Sequence, residues 1–261
     1  MTWNVWWRFG GNWRERQPGL IEVVRAQHPD VLGIQECWGT DGRTQAGVIA
    51  AGLDAAEPPF DSAFVPVGLP PTPEHPKDAT PDGVRMGLGV VSRWPIAGVE
   101  RVPVFSVGRD NAALVATIEH PRGELRVVVG ATSWEPDRVD ETGMQVGLLQ
   151  ELTRDNHAVR PLPSILLADL NYDRTQPALA GVDLDDAWDT AEAGADPRTL
   201  SFTNRFAPPE AAAQLDRRID HILYVRGKLG GEASRAWIVR DEPGGFPPSD
   251  HYPVVADITF G

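Results

Sequence analysis

Short apolar runs of strand character recur along this chain, and those that carry chemistry stop in a polar side chain. Asn4 lies in TWNVWW, Glu36 ends the run in LGIQECW, and Asp169 with Asn171 ends the run in LLADLNYD. Asp220 lies in RRIDHILY, and Ser249-Asp250-His251 precedes the last run. Side chains alternate between the two faces of a strand, so a run that stops in a polar residue delivers it to the lip of a sheet. Repeated delivery of this kind needs sheets whose ends converge on one site. The delivered groups are oxygen-rich with one imidazole, which suits Mg²⁺ or Mn²⁺ better than zinc.

Periodicity supplies the rest of the outline. Strand-like runs are expected at 2–7, 31–36, 61–67, 88–92, 112–119, 125–131, 164–168, 219–224, 236–239 and 254–260. Helical spacing appears at 17–27, through Leu20, Val23 and Val24, and at 140–156, through Met144, Leu148, Leu149 and Leu152. It recurs at 45–56 and weakly at 175–180. Strands mixed with helices, many in antiparallel-looking succession, suit two sheets packed face to face with helices outside. Neither a repeat nor a linker divides the chain, so one domain over 1–261 is expected. The stretch 66–81 holds six prolines and reads as an extended surface loop. A second rim loop, 240–250, leads directly into Ser249-Asp250-His251.

The net charge of −13 disfavours broad affinity for nucleic-acid backbone or anionic membranes, although a local positive patch would still permit a nuclease. No apolar run approaches the roughly 18 residues that a membrane span needs. The chain enters TWNVWW directly after Met1, without a leader-like segment. Cys37 is the only cysteine, so no intrachain disulfide forms, and a reducing, cytoplasmic setting is expected. Cys37 follows Glu36 and is expected to face away from it as a buried thiol.

The ordered set N, QE, D-x-N, R-I-D and S-D-H, from Asn4 to His251, resembles the endonuclease/exonuclease/phosphatase superfamily. That resemblance implies a four-layer α-β-β-α sandwich and a Mg²⁺-dependent phosphoester hydrolase, with Mn²⁺ as a substitute. Glu36 is then a principal metal ligand, Asn4 supports the metal or orients the water, and Asp250 is a further ligand, direct or through water. Asp169 positions or deprotonates the attacking water, and Asn171 orients the phosphate. His251, backed by Asp220, stabilises the transition state. Asp220 on one ring nitrogen fixes the tautomer and favours the imidazolium. Read by themselves, Asn4 is a turn residue and Asp169-x-Asn171 an Asx-type turn.

The chain departs from the family in VVVGATSWEPD. Ser133 and Trp134 stand where many relatives carry His or Tyr. Neither can act as an imidazolium acid, but a hydroxyl or an indole N–H can donate to phosphate. Arg138, just downstream, could supply positive charge, although a solvated arginine is the plainer alternative. Arg93, in SRWPI, resembles a family position that is mainly structural. Parity adds two candidates: Trp6 lies two residues beyond Asn4, and Trp38 two beyond Glu36. If both strands continue, the indoles face the metal side and can stack a flat or apolar group. Alternatively they pack under rim loops.

These residues leave three functions open: hydrolysis of a small or short phosphoester, cleavage of DNA or RNA by a nuclease, and phosphate binding by a catalytically impaired member of the fold. The scarcity of a basic stripe ranks the first above the second. The expected partner is therefore a phosphoester, small molecule or nucleic acid, met by a monomer without membrane insertion.

Overall fold

In the computed structural model, which describes residues 1–10, 12–53, 59–69, 83–154, 162–225 and 231–260, the strand-like runs form two mixed sheets packed face to face. In chain order the elements are β1 (Thr2–Asn4), α1 (Trp13–Gln27), β2 (Val31–Gly39), α2 (Gln45–Gly52), β3 (Asp61–Val67) and β4 (Arg85–Ser92). Next come β5 (Ile96–Val104), β6 (Asn111–His120), β7 (Gly123–Ala131), α3 (Val139–Arg154) and β8 (Ser164–Asp169). The chain closes with β9 (Asp185–Asp186), α4 (Ala187–Thr190), β10 (Glu192–Ala193), β11 (Asp220–Tyr224), β12 (Gly231–Ile238) and β13 (Val254–Phe260). One sheet runs β10-β12-β13-β1-β2-β4-β3 and the other β5-β6-β7-β8-β11-β9.

Alternation along the central strands sets the layers. Val127, Val129, Ile165 and Leu167 face the opposite sheet, where they meet Leu88, Val90 and Val31. The intervening Val128, Leu166 and Ala168 face outward and are covered by Val146 and Leu149 of α3. On the other flank, Trp3, Leu32 and Ile34 are covered by Leu20, Val23 and Val24 of α1 and by Ile49 of α2. Burial on both faces explains why these strands read as near-continuous apolar runs. The result is the four-layer α-β-β-α sandwich. Each fully buried Leu or Val in it contributes roughly 1.5–3 kcal/mol.

Close contact between the sheets is built in beneath the polar lip. A Cβ on Gly33 would lie 2.6 Å from Leu167 Cβ, so only glycine lets β2 approach β8 this closely. Two residues on, Gln35 is buried; its amide donates to the Leu167 carbonyl at 3.0 Å and to Thr2 Oγ1 at 3.1 Å. The ends of β1, β2 and β8 are thereby locked together.

Several sequence-based expectations shift. The run at 2–7 stops as a strand at Asn4, because Trp6 and Trp7 take positive φ values of 58° and 31°. The helix expected at 17–27 begins earlier, at Trp13, and the weak one at 175–180 is a 3₁₀ turn, Pro177–Leu179. β5 escaped the reading because it is a mostly exposed edge strand in which apolar and polar residues do not alternate cleanly. The two-residue strands β9 and β10 are too short to show any period. Pro66 and Val67 belong to β3, an edge strand where a proline is tolerated. The remainder of the proline-rich stretch from 70 to 81 lies outside the described residues, as does 54–58, into which the helix expected at 45–56 extends. No described helix is long and apolar enough to cross a membrane.

Candidate active site

Glu36 owes its position to a break in β2. The β2–β4 register slips between Ile34 and Cys37, and Glu36 has φ 52°, in the left-handed region. A bulge of this kind re-aims one side chain out of a strand's alternation. Ile34 and Cys37 both remain on the helix-covered face, the thiol buried as expected, while the glutamate turns to the lip. One oxygen, Oε1, accepts the Asn4 amide at 3.1 Å. The other, Oε2, is buried and has no hydrogen-bond partner among the described residues. Burial raises Glu36 above its ordinary carboxylate range despite the attraction of His251.

Asn4 spans two carboxylates. Its Nδ2 donates to Glu36 Oε1 and, at 2.9 Å, to Asp169 Oδ2, while its Oδ1 accepts the Trp6 backbone N–H at 2.9 Å. The Trp6 N–H takes one lone pair of Asn4 Oδ1, and the amide hydrogens orient the two carboxylates. Asp250, buried beside this group, is pushed up to about 7 by burial, with the charge of Glu36 adding to the effect. Its neighbour Ser249 donates through Oγ to the Asn4 carbonyl at 2.7 Å and fastens the S-D-H segment to the end of β1.

The opposite wall comes from β8 and β11. Asp169 and Asp220 are cross-strand partners, and both are buried. Burial and the charge of Asp220 push Asp169 up to about 7, against the opposing pull of His251. His251 Nδ1 lies 2.9 Å from Asp220 Oδ2, and its backbone carbonyl accepts the Trp3 indole N–H at 2.9 Å. Burial alone would lower the His251 pKa, but Asp220, Asp250 and Asp169 together raise it well above 6.5. Donor atoms of Asp169, Asp220 and His251 all lie within 4.8 Å of one another. The Asx-type turn read from the Asp169-x-Asn171 spacing is present: Asn171 has φ 56°, and its N–H donates to Asp169 Oδ1 at 3.0 Å. This turn keeps the two residues together. One amide hydrogen of Asn171 goes to the Thr132 carbonyl at 3.0 Å, which leaves the second for a substrate oxygen.

Ser133 and Arg138 are placed differently from their sequence reading, and Trp38 takes the packing alternative. Ser133 is fully buried; its hydroxyl donates to Glu141 Oε1 at 2.7 Å and has no hydrogen left for a phosphate. Trp134 is half-buried, held through its backbone by Glu135 and Gln214. Arg138 is neither solvated nor free: Nη1 donates to the Val107 carbonyl at 2.8 Å and lies 3.6 Å and 3.8 Å from Glu135 and Glu141. Trp38 is buried against Trp7, Leu69 and Met86, because the bulge at Glu36 resets the alternation that would have turned it to the metal side. Trp6 remains half-buried, 5.4 Å from Phe206 and 4.8 Å from the Arg16 guanidinium.

The family model described as Endonuclease/Exonuclease/phosphatase family matches residues 1–251. The chain belongs to that family. Members of the endonuclease/exonuclease/phosphatase family are phosphoesterases and nucleases, so this chain is a hydrolase of phosphoesters. A family protein from Leptotrichia buccalis C-1013-b superposes with TM-score 0.73 at 15% identity, covering 99% of this chain and 98% of its own. The mannosyl-6-phosphatase of Bacteroides thetaiotaomicron VPI-5482 gives TM-score 0.67 at 18% identity, covering 99% and 98%. Truncated Caenorhabditis elegans TDP2 gives TM-score 0.68 at 15% identity, covering 100% and 96%. At these identities the likeness is one of fold. No protein of curated function matches this sequence closely enough to add to it.

Two arginines of this family member escaped the sequence reading. Arg16, on α1, is buried and donates to the carbonyls of Val5, Trp6, Trp7, Phe9 and Pro248. It gathers the loop after β1 and the loop before Asp250 around one guanidinium. Burial lowers its pKa to about 10, opposed by Asp250 and Glu36. Arg109 lies between β5 and β6 and donates through Nη2 to Ser133 Oγ at 3.1 Å. Neither position carries a periodicity or motif signal, since an arginine on a helix or in a turn reads as solvated until the contacts are known.

Proposed function

We propose that this chain is a Mg²⁺-dependent hydrolase of a small or short phosphoester, acting in the cytoplasm as a single-domain monomer. The observation that carries the metal is the unpartnered Glu36 Oε2, buried next to a second carboxylate, Asp250, whose affinity for protons is raised. Buried carboxylate oxygens without a donor are costly unless a cation takes them. Glu36 and Asp250 would hold it, with Asn4 fixing the Glu36 carboxylate; their hard oxygens suit Mg²⁺ or Mn²⁺. When bound, the cation supplies positive charge against the phosphate and the leaving oxygen.

The chain's own groups divide the remaining work. Asp169, oriented by the Asn4 amide and the Asn171 N–H, takes the proton of the attacking water. His251, kept protonated by Asp220, presents its other ring nitrogen to a phosphoryl oxygen and stabilises the charge that develops there. Asn171 uses its second amide hydrogen to orient the phosphate.

The pairing of several arginines supports a small substrate. Arg138, Arg198, Arg217 and Arg218 are each held by carboxylates. A long polyanion draws affinity from many free cations, whereas one phosphate at the metal needs few. Trp6, backed by Phe206, offers an aromatic wall for a flat or apolar portion of the substrate. The test is a hydrolysis panel of phosphate mono- and diesters, abasic duplex, RNA and plasmid DNA with Mg²⁺, Mn²⁺ or chelator. Chelator-sensitive turnover of a small ester, with KM changing only a few-fold between about 50 and 200 mM NaCl, is the expected result. Efficient plasmid nicking with a steep salt dependence overturns the substrate class, and full activity in excess chelator overturns the metal.

A further inference from the structure

We infer that Arg109 binds substrate, its guanidinium taking a phosphoryl oxygen at the mouth of the site, an assignment that rests on the phosphoester chemistry proposed above. Four carboxylates converge here, Glu36, Asp169, Asp220 and Asp250, and an anionic ester must approach them. The cations on hand are His251 and three arginines. Arg16 is buried, with Nη1 and Nη2 already donating to five backbone carbonyls. Arg138 is matched by Glu135 and Glu141. Arg109 differs from both.

Neutral hydroxyls, rather than acids, hold Arg109 in place. Its Nε donates to Ser106 Oγ at 3.1 Å and its Nη2 to Ser133 Oγ at 3.1 Å. Both hydroxyls in turn donate to one oxygen, Glu141 Oε1, at 2.9 Å and 2.7 Å, and Gln145 braces Ser133. Among the described residues no carboxylate forms an ion pair with Arg109, and its Nη1 makes no hydrogen bond. A half-buried guanidinium fixed on two sides with one donor edge free is preorganised for an oxyanion.

Its location fits the same role. Ser133 directly follows Thr132, whose N–H donates to the Asp169 carbonyl at 3.0 Å and whose carbonyl accepts from Asn171. Arg109 and Glu36 lie within electrostatic reach, each favouring the other's charged form. The other charges acting on Arg109 are Glu135, Glu141 and Arg138. Ser133 therefore acts as a bracket that carries a cation from a different strand connection into the site.

The experiment uses the full chain with Mg²⁺ and the variants Arg109→Ala and Arg109→Lys. Inorganic phosphate is titrated calorimetrically, kcat and KM are read on the best ester of the panel, and unfolding temperatures are recorded in parallel. Arg109→Ala should weaken phosphate binding and lower kcat/KM about tenfold or more, with little change in unfolding temperature. Arg109→Lys should recover part of the loss, and guanidinium at low millimolar concentration should restore part of the Arg109→Ala activity without affecting wild type. Phosphate affinity unchanged within about twofold overturns the assignment, as does a loss that neither lysine nor guanidinium restores, which marks a purely structural role. A wild type that binds phosphate through Arg109 yet cleaves no ester overturns the hydrolase chemistry and leaves the assignment standing. Ester cleavage untouched in Arg109→Ala does the reverse.

Discussion

His251 Nδ1 stands 2.9 Å from Asp220 Oδ2, with both side chains removed from solvent. Asp220 thereby exerts two effects through one charge: it holds the proton on His251 and, as the cross-strand partner of Asp169, makes that carboxyl harder to ionise. In the proposed mechanism the active form has Asp169 ionised and His251 protonated. Activity should therefore rise with pH as Asp169 ionises near 7 and fall at higher pH as His251 loses its proton. Asp220→Asn should lower both proton affinities and move both limbs of the kcat/KM profile toward acid. His251→Ala should reduce turnover by about 10²-fold or more. A pH–rate series with NMR titration of the His251 ring checks this; limbs unmoved in Asp220→Asn contradict the coupling.

The metal pocket should show itself in stability without any assay of turnover. Asp250 titrates near 7 in the folded chain, above its unfolded value of about 3.9, and Glu36 is also raised. A raised carboxyl contributes stability that is full below the unfolded pKa and is lost as pH rises through the folded one. The metal-free chain should therefore melt at lower temperature as pH climbs from about 4 to 8. A cation binds the ionised carboxylates, so the Mg²⁺-induced gain in melting temperature should be larger at about pH 8 than at about pH 5.5. Glu36→Gln should largely remove the gain. An equal gain at both pH values, retained in Glu36→Gln, places the cation elsewhere.

The two tryptophans next to Asn4 and Glu36 should separate by phenotype. Trp38 is buried among Trp7, Leu69 and Met86, so Trp38→Ala should cost about 3–5 kcal/mol of folding stability and leave KM nearly unchanged. Trp6 is half-buried against Phe206, so Trp6→Ala should cost less stability and raise KM a few-fold for esters with an aromatic leaving group. Denaturant unfolding alongside steady-state kinetics reads both. A KM rise confined to Trp38→Ala reverses the two roles.

Apolar runs and polar strand ends suited two packed sheets with helices outside, and with the family resemblance, which implied the four-layer sandwich, they collected Asn4, Glu36, Asp169, Asp220, Asp250 and His251 as one set. Those signals are local: period two marks a strand, and a polar residue at its end marks a lip. Contacts between distant segments carry no such signature. The positive φ of Glu36, which turns its carboxylate inward and turns Trp38 away, follows from the register slip of β2 against β4, more than 45 positions apart in the chain. Ser133 donates its hydroxyl hydrogen to Glu141 and holds Arg109, because α3 and the turn between β5 and β6 meet at the end of β7, a contact between segments far apart in the chain. Arg16 looks like any helix-surface arginine until five backbone carbonyls from two loops converge on it. The sequence by itself determined the fold class and the acid, amide and imidazole groups at the lip. Only the tertiary structure decided which cations face them, because long-range packing sets whether an arginine is solvated, paired or buried.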